Sequence, residues 1–396
     1  MTRRTTGLAF LVVAALTALT ATNTAQTPAT APKSPYVYAA PPTLSDGWKT
    51  GTLESAGIDR RRLEQMTESV RANPDFNVHG ILIEHDGRLV FEEYFTGPDQ
   101  RWGQPLGVVT LTRDKFHDLR SVTKSVVGAL VGIAHASGAI PSLDAPVLHY
   151  FPEYKDLQVP ERRLITIRHA LSMSSGLDWN EQVPYNDPKN DEIAMDRSPD
   201  ASRYVLARPI VAAPGTTWNY NGGTTHLLGV IVQRATKQPL MDYARTMLFA
   251  PLGVTAFEWL GRGGPSAASG MRLRPRDLAK FGSLYLHDGQ WNGKQVIPKE
   301  WVHESTRRRL TLPGRETAGY AYQWWHNCHA TPTGVVEVPT AVGNGDQRIF
   351  LMRSKRVVVT VLAGRYNDFS SSPANRLLVD HILPALPASP AMPCPS

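Results

Sequence analysis

Cysteine is scarce in this chain: Cys328 and Cys394 are the only two among 396 residues. That excludes a small scaffold stapled by several disulfides, and leaves one pairing that an oxidising compartment would allow. Such a pair would tie the C-terminal tail to the body. The segment His326-Asn327-Cys328-His329 offers metal-type ligands, but no second cluster stands at a zinc-like spacing, so no metal is expected. Phosphate- and dinucleotide-cradling signatures are also missing. There is no G-x-x-x-x-G-K-[ST], no H-E-x-x-H, and no G-x-G-x-x-G after a strand, so no cofactor is expected. The formal net charge of +7 comes from scattered residues and short clusters such as Arg60-Arg61-Arg62, with no basic stripe interleaved with aromatics. A nucleic-acid partner is therefore not expected. No internal repeat is visible. The N-terminal apolar run is too short for a comfortable span, no second stretch is long enough to cross a bilayer, and no stable membrane partner is expected.

What is present reads as an ordinary globular chain, with 42% hydrophobic residues and length enough for a large core. Arg3 and Arg4, the apolar run Leu8 to Leu19, and small residues with Ala21 or Ala25 as cleavage points resemble an export signal over residues 1–25. A periplasmic or secreted location follows as an expectation. Residues 26–45 are rich in Pro, Ala and Thr and read as a flexible leader. The main domain is expected at 46–385, with a flexible tail at 386–396.

Helical spacing over 59–72 puts Leu63, Met66 and Val70 on one side. His79 to Glu84 and Arg88 to Phe95 are β-rich and flank Asp86-Gly87, a two-residue hairpin signal. A second strand pair, Arg348 to Met352 and Val357 to Ala363, lies near the C-terminus and is followed by a helical stretch, Ala374 to Ile382. Between them, about 121–290 is mostly helical pattern. The expected fold is α+β: an antiparallel sheet formed from both chain ends, flanked by helices, with a mainly helical region inserted. The polar stretch 176–200 is long enough to be a lid or a surface excursion.

The chemistry centres on Ser121-Val122-Thr123-Lys124, an S-x-x-K opening a strongly helical run to Ala136. Positions i and i+3 share a helix face, so Lys124 stands within reach of the Ser121 hydroxyl. A helix N-terminus supplies partial positive charge and free N–H groups for an oxyanion. Serine needs an adjacent base, and a lysine serves as one only if its pKa falls, as burial or a cationic neighbour can cause. The apolar, small residues after Lys124 predict that it is buried.

The stretch Asp118-Leu119-Arg120-Ser121-Val122-Thr123-Lys124-Ser125 resembles the nucleophile motif of the serine β-lactamase-related hydrolases, a superfamily that includes class C β-lactamases, D,D-peptidases, esterases and 6-aminohexanoate-oligomer hydrolases. Ile165 to Leu177, with His169 and Ser172-Met173-Ser174-Ser175-Gly176, resembles the segment after the nucleophile helix. Pro214-Gly215-Thr216-Thr217-Trp218-Asn219-Tyr220-Asn221-Gly222-Gly223 resembles the tyrosine motif. Gly343-Asn344-Gly345-Asp346-Gln347 stands where the third motif belongs. The resemblance covers about residues 45–383 and is nearest the esterase and aminohexanoate-hydrolase branch. It implies a β-lactamase/transpeptidase-like fold and a serine hydrolase acting on a small ester or amide. Ser121 would be the nucleophile, with Lys124 and Tyr220 moving protons, either of them as first base. A neighbouring ammonium would lower the Tyr220 phenol. The oxyanion hole would combine the Ser121 N–H with one from Gly343 to Asp346, making Asn344, Gly345 and Asp346 candidate substrate contacts.

Two departures stand out. Gly222 occupies the third place of a motif that is often Tyr-x-Asn, and the third motif lacks the basic residue that helps β-lactamases hold a substrate carboxylate. The absent basic residue weakens, without removing, the β-lactamase and D,D-peptidase alternatives; a non-catalytic cell-wall-binding relative is the remaining one. Trp179, Tyr185, Trp324 and Trp325 are candidates for an acyl pocket, with core packing the expected fate of at least two. His169 and His226 read as structural.

Overall fold

The computed structural model describes residues 34–331, 334–387 and 394. The export-signal assignment and most of the leader and tail lie outside these residues.

The strands, in chain order, are β1 (Lys49–Thr50), β2 (Val78–His85), β3 (Arg88–Tyr94), β4 (Thr96–Arg101), β5 (Gln104–Thr110), β6 (His117–Asp118), β7 (Glu258–Trp259), β8 (Met271–Leu273), β9 (Gln290–Trp291), β10 (Lys294–Gln295), β11 (Leu310–Leu312), β12 (Arg315–Tyr320), β13 (Trp325–Thr331), β14 (Gly334–Gly343), β15 (Gln347–Met352) and β16 (Val357–Ala363). Nine of them form one sheet in the order β1-β3-β2-β16-β15-β14-β13-β12-β11. Every neighbour pair is antiparallel except β1 with β3. Both chain ends therefore meet where β2 pairs with β16. Asp86 and Gly87 both adopt positive φ, the conformation a tight hairpin needs to follow the strand twist.

The sheet separates two cores. On one face, α1 (Arg60–Ala72) buries Leu63, Met66 and Val70 together with Leu377, Leu378 and Ile382 from the C-terminal helical segment. On the other face lies the larger core, built from the central helix α2 (Val122–Ala136) and the helices Gly222–Thr236 and Pro275–Leu286. Thirteen residues of α2 are buried, so it has no solvent face, as its near-continuous apolar and small sequence requires. Gly132 makes this packing feasible: a Cβ there would lie 2.2 Å from the Trp301 ring.

The ordered body begins earlier than composition suggests. Tyr38, in the stretch assigned to the leader, is buried, and its hydroxyl donates to the Val90 carbonyl at 2.8 Å. At the other end Cys328 and Cys394 form a disulfide across 66 residues of sequence. Among the described residues, no helix is long and apolar enough to cross a membrane.

Candidate active site

Ser121 stands at the N-cap of α2, immediately after Arg120, whose φ is +50°. A left-handed arginine is uncommon and persists only where its surroundings hold it. Here the guanidinium bonds Asp118 at 3.1 Å and lies over the Tyr366 ring at 5.1 Å. The resulting turn brings strand β6 into helix α2 with Ser121 at the junction. Ser121 is 8% exposed, beside the half-buried Trp218, Tyr220 and Trp325.

Lys124 lies one helical turn on, fully buried. Its Nζ donates to Ser121 Oγ at 3.1 Å, to Glu192 Oε2 at 3.1 Å and to the Ala268 carbonyl at 3.0 Å. Three acceptors match the three N–H bonds of an ammonium. Burial alone would push the lysine down, but the charges of Glu192, Tyr220 and Glu181 hold it above its ordinary value. This corrects the sequence-based requirement for a lowered lysine pKa: a carboxylate from a distant loop reverses the effect of burial.

Tyr220 reaches the same point from the loop before helix Gly222–Thr236. The Lys124 ammonium lies 5.0 Å from its ring centroid, and the Ser121 hydroxyl is close enough to the phenol to favour its ionised form. Burial pushes the phenol up to about 12, against the lowering by Lys124 and Ser121. The expected net lowering is thus overturned, because desolvation of the phenolate outweighs the neighbouring ammonium. The loop is held by Asn219, whose N–H donates to the Met173 carbonyl at 2.8 Å and whose side chain donates to the Trp179 carbonyl at 3.0 Å. Trp218 and Trp325 flank the phenol, with ring centroids 6.3 and 5.3 Å from it.

The stretch 176–200 is neither a bare lid nor a surface excursion. It carries Glu181 and Glu192 into the interior beside Lys124. Glu181 accepts from Trp179 Nε1 at 2.6 Å, from the Tyr185 hydroxyl at 3.0 Å and from the Gly222 N–H. Burial, with the Glu192 charge beside it, pushes Glu181 up, while Glu192 is held low by Lys124 and by hydrogen bonds from Glu181 and Ser269 in spite of its own burial. The pair therefore shares one proton, carried by Glu181, next to a carboxylate–ammonium contact. Sequence reasoning missed both glutamates. The available clue was Gly222: a Cβ there would lie 2.1 Å from Glu192 Oε2 and 3.0 Å from Glu181 Oε2. Glycine stands where the related motif often has asparagine because the carboxylates fill that space.

Other candidates fall into place around this centre. Trp179 is 4% exposed and packs in the core, where it positions Glu181. Tyr185 is half-buried, with its hydroxyl also on Glu181. Trp324 is fully buried against Tyr285 and Phe281, whereas Trp325 joins the aromatic wall at Tyr220. The 343–346 turn borders the Ser121 segment: a Cβ on Gly343 would meet the Leu119 carbonyl at 2.3 Å. Asn344 exchanges two hydrogen bonds with Asn367, and Gly345 has a φ of +95°. The Asp346 carboxylate binds Arg348, Ser372 and the Ala374 N–H, so its side chain holds the C-terminal helix. His169 completes a capping box with Thr166, and His226 bonds Ser202 at 3.1 Å. Gln323, also missed, ties α2 to two other segments: its carbonyl accepts from Ser125, and its side chain bonds Thr225, Ala170 and Leu171.

Comparison with known proteins places this arrangement. An esterase of Burkholderia gladioli, EstB, is 27% identical over 51% of this chain and 52% of its own. A 6-aminohexanoate-dimer hydrolase of Paenarthrobacter ureafaciens is 28% identical over 62% of this chain and 66% of its own. The chain thus matches between about half and two thirds of the length of these curated relatives. A penicillin-binding protein homologue from Caulobacter crescentus shares the fold with a TM-score of 0.63 at 18% identity, covering 84% of this chain and 98% of the other. Residues 68–382, most of the described body, match the Beta-lactamase family as a whole, and the chain belongs to it.

Proposed function

We propose that this protein is an exported serine hydrolase that cleaves carboxylic esters or small amides through an acyl-enzyme on Ser121. The observation that carries this reading is the meeting of Lys124 Nζ, 3.1 Å from Ser121 Oγ, with the Tyr220 phenol at the same hydroxyl. Ser121 Oγ attacks the substrate carbonyl carbon and gives up its proton, and the carbonyl π electrons move to oxygen. With Lys124 held as an ammonium by three acceptors, the proton acceptor is Tyr220 once its own proton has left: burial makes the phenolate the minor form, and the Lys124 ammonium beside it works against that burial. The tetrahedral intermediate collapses as Tyr220 returns the proton to the leaving alcohol or amine. Water then repeats the sequence and releases the acid and Ser121. The Ser121 N–H and one from the 343–346 turn hold the oxyanion.

The aromatic wall of Trp218 and Trp325 supports an uncharged acyl or leaving group, and the missing basic residue in the third motif agrees with it. The names of the two curated relatives support the same substrate class. The Cys328–Cys394 disulfide supports an oxidising compartment outside the cytoplasm.

The test is a panel of short-chain p-nitrophenyl esters, an aminohexanoate dimer and a chromogenic cephalosporin, applied to wild type and Ser121→Ala. Ester or amide turnover that vanishes in Ser121→Ala supports the reading. Rapid cephalosporin turnover would favour a β-lactamase instead.

A further inference from the structure

Away from Ser121, the structure holds a buried cluster that the proposed reaction does not use. His79 on β2, Asp99 on β4 and His117 on β6 are 1%, 8% and 0% exposed and converge on one point. His79 Nδ1 lies 2.8 Å from His117 Nε2, and Asp99 Oδ1 lies 3.9 Å from the first nitrogen and 3.6 Å from the second. A triangle with these sides has a circumscribed radius of about 2.0 Å, the distance at which zinc sits from imidazole nitrogen and carboxylate oxygen.

The outer ring nitrogens determine which lone pairs face inward. His79 Nε2 lies 3.0 Å from Asn77 Oδ1, and His117 Nδ1 lies 3.0 Å from the Asp118 carbonyl. Both partners are acceptors, so both outer nitrogens carry the hydrogen. The two inner nitrogens then confront each other as lone pairs, a repulsive contact at 2.8 Å unless a proton or a metal cation lies between them. Imidazoles that ligate metals donate their other N–H to an oxygen acceptor in just this way. Asp99 Oδ1 is oriented by the Tyr366 hydroxyl at 3.0 Å and the Gln100 N–H at 2.8 Å. Two glycines keep the cradle open. A Cβ on Gly97 would lie 2.0 Å from Asn77 Oδ1 and 2.9 Å from His79 Nε2, and one on Gly364 would lie 2.6 Å from His79 Cε1.

We propose that His79, Asp99 and His117 bind a divalent transition-metal cation of the zinc class. The site departs from the sequence-based expectation of no metal, because its three ligands stand about twenty residues apart on three strands and form no recognisable spacing. It rests on none of the hydrolase argument. Its consequence is mechanical: the ion cross-links β2 and β4 to β6, the strand that runs directly into Ser121.

The experiment strips the purified full chain with a strong chelator, adds Co(II) or Zn(II), and desalts it. The expected result is about one equivalent retained per chain, Co(II) d–d absorption of a mixed nitrogen and oxygen site, and a Tm that rises with metal concentration. His117→Gln and Asp99→Asn should each weaken retention by at least about tenfold. Because a buried variant can fail to fold, the wild-type Co(II) form gives a second readout: two paramagnetically shifted imidazole N–H resonances, one for each histidine. No retention by wild type would overturn the proposal. Equal retention by both variants, or a Co(II) spectrum without two histidine signals, would overturn it as well.

Discussion

The Glu192 carboxylate lies 3.1 Å from Lys124 Nζ, although 68 residues separate the two in sequence, and this contact determines the protonation state of the buried lysine. It also explains an absence. Glu192 and Glu181 occupy the volume that a side chain at position 222 would need.

Replacing Gly222 with Asn, the residue common at this place in related motifs, is therefore expected to damage the site. The new Cβ displaces Glu192 from Lys124. Hydrolase activity of Gly222→Asn should fall by about 10²-fold or more, the scale of loss when reacting groups are misplaced by an ångström. Activity equal to wild type would show that the carboxylates move aside without consequence.

Lys124→Ala and Tyr220→Phe should each lower kcat by roughly 10²- to 10⁴-fold, the range for loss of a positioned acid or base. The double variant should be little worse than the worse single, because the two act on one proton path. A double variant whose loss equals the product of the two would contradict that coupling.

The glutamate pair makes stability depend on pH. The folded pair retains its proton up to about pH 8, whereas an unfolded glutamate releases it near pH 4.3. Between those values the folded state binds more protons, so this pair lowers stability as pH rises. Glutamine imitates the protonated acid and cannot titrate. Urea midpoints should therefore show Glu181→Gln gaining on wild type from pH 5 to pH 8 and levelling off above. A difference independent of pH would refute the shared proton.

Much of this was legible from residues alone. Ser121, Lys124 and Tyr220 sit in local motifs, and the β2–β3 hairpin is announced by Asp86-Gly87. Strands β11 to β14 were less legible, because they are short or carry Gly319, Asn327 and Pro339, which blur alternation. Glu181 and Glu192 were illegible for a different reason. They lie in a polar stretch without periodicity, and only the tertiary fold turns them inward. The Tyr220 phenol departs from its expected lowering because burial outweighs the neighbouring ammonium, and Lys124 does not meet the condition for a base because a carboxylate distant in sequence outweighs its burial.

The Cys328–Cys394 disulfide includes none of the groups placed around Ser121 and should affect stability alone. Closing 66 residues of chain is worth about 4 kcal/mol on chain-entropy grounds, with about 2 to 4 typical in practice. Cys328→Ser/Cys394→Ser should lose that much in denaturant titrations and keep kcat unchanged at low temperature. A large loss of kcat in the folded double variant would refute the separation.

The central claim is that an acyl group passes through one hydroxyl. Rapid-quench intact mass spectrometry with a p-nitrophenyl ester, followed by peptide mapping, tests it directly. The account predicts a transient acyl adduct on the peptide containing Ser121, absent in Ser121→Ala together with turnover. An adduct on another residue, or turnover undiminished in Ser121→Ala, would contradict it.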